Sequence, residues 1–436
     1  MAERARHAQR ERAMLTRYWA CAVTWLLTVG CAAPASHATL GQQYLSDRAY
    51  RRHELEAALV NPNDGYAQLR LTHYATGLDS DWDNLPEWNP ETEVVTTEKA
   101  GSGAAPARLL ELPNPEDEAA LRAFGKLAFS RYPAQLAPYL SVALGSPEAA
   151  AQYGLWLDEA RGVGGLVRVH LADGSLTLAL TCSTCHAARA ATGVEDGGAN
   201  AALDLGAAIV AGSARALGAE AAAHFTAWGP GRLDVTTQSG LEPARIADLR
   251  AERFQTSLQQ DATLLLRSET TLAIRIETLL ITSSGQVVRP PRLVALALAA
   301  YINSLADALP AVEVAAVASA DGARVFSANC SFCHVPPTLS GPAIPLDVVG
   351  TDEQLGLSAD RGTGTYRVPS LRGVGTRGPL LHDGSLPSLA TMFDPAREAS
   401  TFTERLHGAG PVNGHRFGLD LKQAERTALV DYLSLL

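Results

Sequence analysis

Two stretches of the chain combine residue types and spacing that could do chemistry: Cys182-Ser-Thr-Cys185-His186 and Cys330-Ser-Phe-Cys333-His334. A C-x-x-C-H run is the attachment signature of a c-type haem, in which two thiols bond to the porphyrin and the histidine ligates the iron. The alternatives are a redox dithiol and a zinc site built from both thiol pairs. Neither alternative uses the histidine that follows each pair. The sequence therefore predicts two covalently bound haems c.

The cysteine count and the charge narrow the class of protein. Of the six cysteines, four lie in these motifs and the others are Cys21 and Cys31. No cysteine remains for a structural disulfide, which fits haem attachment outside the cytoplasm. Hydrophobic residues make up 47% of the 436 residues, an ordinary value for a globular protein of two or three domains. Without residues 1–38 the net charge is about −13, which argues against nucleic acid as a partner.

Residues 1–38 have the features of a secretion signal. Five arginines precede an apolar run from Tyr18 to Val29, and small residues follow it. The run is shorter than the roughly 20 apolar residues that a membrane-spanning helix needs. Because Leu27-Thr-Val-Gly-Cys31 resembles a bacterial lipobox, two predictions stay open: a soluble exported protein, or a lipoprotein attached to the membrane only through a lipid anchor at Cys31. Both place the protein in the periplasm or cell envelope.

The elements that must position the motifs follow from hydrophobic patterns. Residues 166–170 and 175–180 alternate around a turn, which predicts a β-hairpin that runs into Cys182. Amphipathic helices are predicted over 292–305, after Pro290 and Pro291, and over 424–436. The second repeats the spacing of the first, which indicates an internal duplication.

The predicted fold class is mainly α, with two cytochrome c-like haem domains in tandem, an added N-terminal helical region and a small β-hairpin. The haem domains are predicted at 166–310 and 318–436. Residues 39–165 have helix-like composition over 45–60 and 117–140 but no metal motif. They are predicted to be a helical region of unknown role.

A family resemblance rests on the stretch from Tyr366 to Leu389, which contains Arg-Val-Pro-Ser-Leu-Arg372 and His382-Asp-Gly. It resembles the T-P-x-L-R-N-V…F-H-D-G signature of bacterial di-haem cytochrome c peroxidases and their relatives. Those relatives include the di-haem enzyme that matures methylamine dehydrogenase and the di-haem rubber oxygenases. The gap of 148 residues between His186 and His334 is also of the order seen in the peroxidases. The resemblance covers about residues 166–436.

The resemblance implies an oxidoreductase in which the first haem binds peroxide or O2 at an open position. The second haem would relay electrons from a small cytochrome or cupredoxin-type donor. Trp228 matches in rough position the tryptophan that the peroxidases place between their haems, which implies an electron relay there. Peroxidase relatives often hold a bridging Ca²⁺ between domains, a further candidate cofactor that these residues do not specify. An electron carrier with two six-coordinate haems and a docking subunit that uses residues 39–165 remain the alternatives.

The chain departs from the peroxidases at the residues that would supply the sixth ligand of each iron. His186 and His334 are the predicted proximal ligands, but Ala396 stands where the peroxidases have a ligating Met after the H-D-G histidine. The segment Asn413-Gly-His415 is instead similar to the rubber-oxygenase branch, in which the second haem has two histidine ligands. The candidates for the second haem are His415, His382 and Met392. For the first haem the candidate is His224, and we favour a five-coordinate iron.

Arginines of the same loop are candidates for the haem propionates. Buried carboxylates need charged partners, and a guanidinium offers a bidentate fork. At least one of Arg367 and Arg372 is predicted to have this role, against the alternative of a solvated loop.

Overall fold

The computed structural model describes residues 37–96, 112–233 and 243–436. Helices take up 44% of these residues and strands 13%. Residues Gly41–Leu436 form one compact unit, and of a second unit, Met1–Leu40, only residues 37–40 are described. The predicted secretion signal, with Cys21 and Cys31, therefore lies outside the described residues.

The elements are numbered in chain order. The α-helices are α1 His37–Ser46, α2 Arg48–Ala58, α3 Gly65–His73, α4 Glu118–Arg131, α5 Pro147–Gln152, α6 Cys182–His186, α7 Leu205–Gly212, α8 Ala219–Trp228, α9 Glu269–Ser283, α10 Arg292–Ser304, α11 Val312–Ala318, α12 Ala320–Asn329, α13 Leu346–Val349, α14 Gln354–Leu357, α15 Leu389–Met392 and α16 Gln423–Ser434. The strands are β1 Thr92–Val94, β2 Gln135–Leu136, β3 Leu157–Asp158, β4 Gly162–Val163, β5 Val167–His170, β6 Leu176–Leu180, β7 Ala187–Ala190, β8 Gly193–Asp196, β9 Arg232–Leu233, β10 Ala244–Arg245, β11 Ser257–Leu258, β12 Leu264–Leu265, β13 Gly341–Pro345 and β14 Thr365–Val368. Short 3₁₀ helices cover Trp82–Asn84, Pro138–Ala143, Glu252–Phe254, Leu305–Ala308, Val374–Thr376 and Pro395–Glu398.

The largest core forms where α4 crosses α10. Asp117 caps α4 by accepting a hydrogen bond from the amide of Ala120 at 3.0 Å. A Cβ on Gly125 would lie only 2.0 Å from the carbonyl oxygen of Ala297, so the two helices approach as closely as they do because this residue is glycine. One turn further along, the ring of Phe129 packs edge-on against Tyr301, with ring centroids 5.5 Å apart.

A second crossing of the same kind joins α12 and α16. A Cβ on Gly322 would lie 2.1 Å from the carbonyl oxygen of Ala428. The rings of Phe326 and Tyr432 lie 5.4 Å apart. The two crossings thus share a Gly-x-x-x-Phe pattern on one helix and a tyrosine on the other.

A four-stranded antiparallel sheet leads to the first motif. Its strand order is β1-β5-β6-β2. The predicted hairpin is its centre, since β5 and β6 pair antiparallel with Val169 opposite Thr177. Strand β6 ends at Leu180, and helix α6, which holds the first C-x-x-C-H run, begins two residues later.

The predicted fold class, two cytochrome c-like domains in tandem beside an added helical region, is wrong. The residues form one compact unit that contains several small sheets. Helix α4, which packs against α10, and strands β1 and β2, which complete the sheet, all come from before residue 166. The part around the second motif is tied to earlier residues as well, because the Arg245 amide donates to the carbonyl of His382 at 2.9 Å. The helical content alone agrees roughly with the predicted mainly α class.

Among the described residues, Arg292–Ala318 alone is long and apolar enough to cross a membrane. However, 56% of its most apolar window is buried against the rest of the protein, as is usual for a core helix.

Candidate functional site: two C-x-x-C-H motifs and the cavity of the second

The first motif is fixed at both ends of α6. At the start, the Thr184 hydroxyl oxygen accepts a hydrogen bond from the amide of Thr181, and the Thr181 hydroxyl donates to the carbonyl of Gly165 at 2.7 Å. At the end, Nδ1 of His186 lies 2.9 Å from the carbonyl oxygen of Ala247. A carbonyl can only accept, so Nδ1 carries the proton and Nε2 keeps its lone pair. This is the tautomer that a metal-ligating histidine needs.

The thiols of the first motif lie deep in the fold but are not fully buried. Burial raises the pKa of Cys182 and of Cys185 to about 12, yet both side chains and His186 keep some accessible surface. The two observations agree if the accessible surface belongs to a space inside the protein. Thiols this deep stay protonated, which disfavours a redox dithiol.

The second motif directly follows helix α12. Nδ1 of His334 lies 3.1 Å from the carbonyl oxygen of Leu339, so Nε2 is again left for a ligand. Burial lowers the pKa of His334 to about 4 and raises that of Cys330 to about 11. The imidazole is therefore neutral at pH 7, and the thiol is protonated.

The zinc alternative is not supported. Among residues 37–96, 112–233 and 243–436, no group of three or more His, Cys, Asp or Glu side chains is arranged to hold a metal ion. All four motif cysteines lie in these ranges. The same absence applies to a Ca²⁺ site of carboxylates within the described parts of the chain.

A cavity of about 240 Å³ opens beside the second motif. Its wall brings together the motif residues, the candidate ligands and three arginines, with apolar side chains between them: Cys330, Cys333, His334, His382, Met392, His415, Arg245, Arg367 and Arg377. Most of the wall is apolar, as suits a large flat ring system.

His415 is the candidate that lies opposite His334. Their ring centroids are 6.5 Å apart. A metal ion bound between two imidazoles needs ring centroids about 6.2 Å apart, since each metal–nitrogen bond is about 2 Å long and each nitrogen lies about 1.1 Å from its ring centre. Burial, and then the nearby His334, lowers the pKa of His415 to about 4. Both rings are thus neutral and at ligating distance.

The backbone at His415 is held in place by one buried side chain. Arg397, fully buried, donates to the carbonyls of Met392, Val412, Gly414 and His415 at 2.5–3.0 Å. His415 has φ +43°, a conformation that costs a non-glycine residue energy and is found where the surroundings enforce it. Arg397 supplies that enforcement.

The other candidates occupy different positions in the cavity wall. His382 stacks on the ring of Tyr366, with centroids 4.4 Å apart and an angle of 20°. Met392 is buried in the apolar core between α15 and α16. The ring of His382 pairs with Tyr366, whereas the ring of His415 pairs with His334.

Of the two arginines predicted to contact the haem propionates, only Arg367 lines the cavity. Arg367 is buried in the cavity wall, 3.9 Å from the carboxylate of Glu252. Arg372 lies outside the wall, where it donates to the carbonyl of Pro310 and covers the ring of Phe254. The sequence did not single out Arg245, which lies far from the second motif along the chain and has no local pattern to mark it.

Trp228 and His224 lie together at the end of α8. The Trp228 indole nitrogen donates to Nε2 of His224 at 3.3 Å, so that nitrogen already has a hydrogen-bond partner. Trp228 also packs edge-on against Phe225, and it is not part of the cavity wall of the second motif. Among the described residues no other histidine ring lies against His186, in contrast to the pair His334 and His415.

No protein-family model matches the chain, and no curated protein matches it.

Proposed function

We propose that this chain is an exported c-type cytochrome with two covalently bound haems and peroxidase-like oxidoreductase activity. The first motif would hold a haem that supplies a binding site for peroxide or O2, and the second motif would hold a haem that supplies electron transfer from a donor protein. A haem with an open coordination position can bind such a substrate, and one with two histidine ligands transfers electrons.

The observation that carries the proposal is the asymmetry between the two motif histidines. His334 has a second neutral imidazole, His415, at ligating distance. His186 has no such neighbour in the described part of the chain, and Nε2 of His224 is taken by Trp228. Both motif histidines are nevertheless prepared as ligands, because each donates from Nδ1 to a backbone carbonyl.

The protein's own residues perform three tasks in this proposal. The thiols of each motif tether a haem, and the motif histidine orients it. Arg397 holds the backbone of His415, so that this residue and His334 would both ligate the second haem. At the first motif, burial lowers the pKa of His186, so this imidazole would ligate in its neutral form.

Haem content tests the proposal directly. A pyridine haemochrome assay should find two haems c per chain in the exported protein. Cys182→Ala and Cys330→Ala should each lose one haem, whereas the neighbouring control Ser331→Ala should keep both. Wild-type protein without covalent haem would overturn the proposal. With haem present, hydrogen peroxide should oxidise the dithionite-reduced protein faster in the wild type than in Cys182→Ala.

A further inference from the structure

Three guanidinium groups converge on the cavity of the second motif. Arg245, Arg367 and Arg377 all line its wall. Burial lowers the pKa of Arg245 to about 9, with Arg367 and Arg377 contributing next, and it lowers the pKa of Arg377 to about 10. Three positive charges in an otherwise apolar wall are costly unless negative charge balances them.

Among the described residues, Arg367 alone of the three forms an ion pair. The carboxylates of Asp248 and Asp383 near Arg245, and of Asp248 and Glu252 near Arg377, offset part of the loss in pKa without pairing. Arg367 has the carboxylate of Glu252 at 3.9 Å. The nearby Asp248 is bound by Arg250, at 2.6 Å for the shortest contact. Within the described ranges, Arg245 and Arg377 form no ion pair.

The two unbalanced arginines are instead oriented by backbone carbonyls. Nε of Arg245 donates to Leu381 at 2.8 Å, and Nη2 of Arg377 donates to Ser370 at 2.6 Å. The terminal nitrogens of Arg245 form no hydrogen bond among the described residues. Nη2 of Arg377 also donates to the carbonyl of Arg372, and its Nε is buried without a partner. Two oriented guanidinium groups thus line a cavity whose wall contains no Asp or Glu among the described residues.

We propose that Arg245 and Arg377 are the counter-charges of the two propionates of the second haem. This inference rests on the proposed function. Two guanidinium forks match two carboxylates in charge and in hydrogen-bond geometry. One of the two propionate contacts would thus come from Arg245 on β10, far upstream of the second motif. Arg372, a candidate from the sequence, lies outside the cavity and has no part in this assignment.

Arg245 also joins this site to the loop that follows Arg377. Its amide donates to the carbonyl of His382 at 2.9 Å, while its side chain donates to the carbonyl of the preceding residue, Leu381. One residue of β10 thereby orients the H-D-G loop and offers a charge to the cavity. The second haem site is incomplete without it.

The test is a spectroelectrochemical titration of the holoprotein. Arg245→Gln and Arg377→Gln each remove a positive charge beside the haem, which favours the ferric state. Each should therefore lower the midpoint potential of one of the two haems by about 59 mV, a tenfold change in the reduction equilibrium. The control Arg324→Gln removes the same charge from an exposed side chain on α12 and should leave both potentials unchanged.

Arg245→Lys separates charge from packing. It should retain most of the wild-type potential, and where Arg245→Gln attaches only one haem it should restore the second. Glutamine variants with two haems and wild-type potentials overturn the inference, as does a lysine variant that behaves like glutamine. These results leave the haem count of the wild type intact, whereas wild-type protein without haem would overturn the proposed function itself.

Discussion

Arg397→Met removes four hydrogen bonds that hold the backbone leading to His415. The guanidinium donates at 3.0 Å to Met392, 2.5 Å to Val412, 2.7 Å to Gly414 and 2.9 Å to His415. Hydrogen bonds from a charged donor are worth about 1.5–3 kcal/mol each, but they are not additive, and methionine also avoids the cost of burying a charge. We therefore expect the free energy of unfolding to fall by about 3 kcal/mol.

Urea unfolding of the holoprotein, followed by far-ultraviolet circular dichroism, measures this loss. The control is Arg416→Met, since Arg416 is exposed and forms one surface ion pair with Glu398. Its loss should cost about 0.5 kcal/mol or less. In addition, Arg397→Met should weaken ligation by His415 and raise the high-spin fraction in the visible spectrum. A variant within about 1 kcal/mol of the wild type, with an unchanged spectrum, would refute the role given to Arg397.

Three further predictions follow from the same geometry. His415→Ala should turn the second haem high-spin while His382→Ala leaves it low-spin, and the reverse result would assign His382 as the ligand. Burial raises the pKa of Asp64 to about 6; the hydrogen bond from the Ala67 amide lowers this pKa, and the negative charge of Asp261 raises it. Between pH 3.8 and 6 the folded state therefore keeps a proton on Asp64 that the unfolded state has released. Asp64→Asn should therefore gain stability relative to the wild type as pH rises through that window, by at most about 2 kcal/mol, and a pH-independent difference in urea titrations would contradict this. Gly125→Ala should lower the free energy of unfolding by about 2 kcal/mol or more, whereas Gly145→Ala, where a Cβ meets nothing within 4 Å, should change it by less than about 0.5 kcal/mol; equal losses would contradict the tight crossing of α4 and α10.

Local elements could be predicted from the sequence because their signals are local. The helix predicted over 292–305 is α10, Arg292–Ser304, and that over 424–436 is α16, Gln423–Ser434. The hairpin before Cys182 was read from alternation and a turn. In each case hydrophobic period and flanking Pro or Gly residues were enough.

The predicted architecture was wrong because it depends on contacts between residues far apart in the sequence. Helix α4 packs on α10 although more than 150 residues separate them, and nothing in either segment alone specifies the partner. The sequence does contain one signal of this kind: Gly125-x-x-x-Phe129 repeats as Gly322-x-x-x-Phe326, and the second pair lies just before a motif. Matching these patterns would have placed α4 with the first motif.

The residues of the candidate site also fall into those that the sequence predicts and those that only the fold reveals. The motif cysteines and histidines are contiguous in sequence, and His415 was among the candidates. Arg245 and Arg397 depend on carbonyls that the fold brings to them, so neither could be recognised by residue type or spacing.

In the function proposed above, the two haem sites differ: His415 closes the second, and the first is open. An EPR spectrum of the oxidised holoprotein tests this most directly. We predict one high-spin ferric signal, from the haem at His186, and one low-spin signal, from the haem between His334 and His415. Two low-spin signals would contradict the claim and leave an electron carrier with two six-coordinate haems.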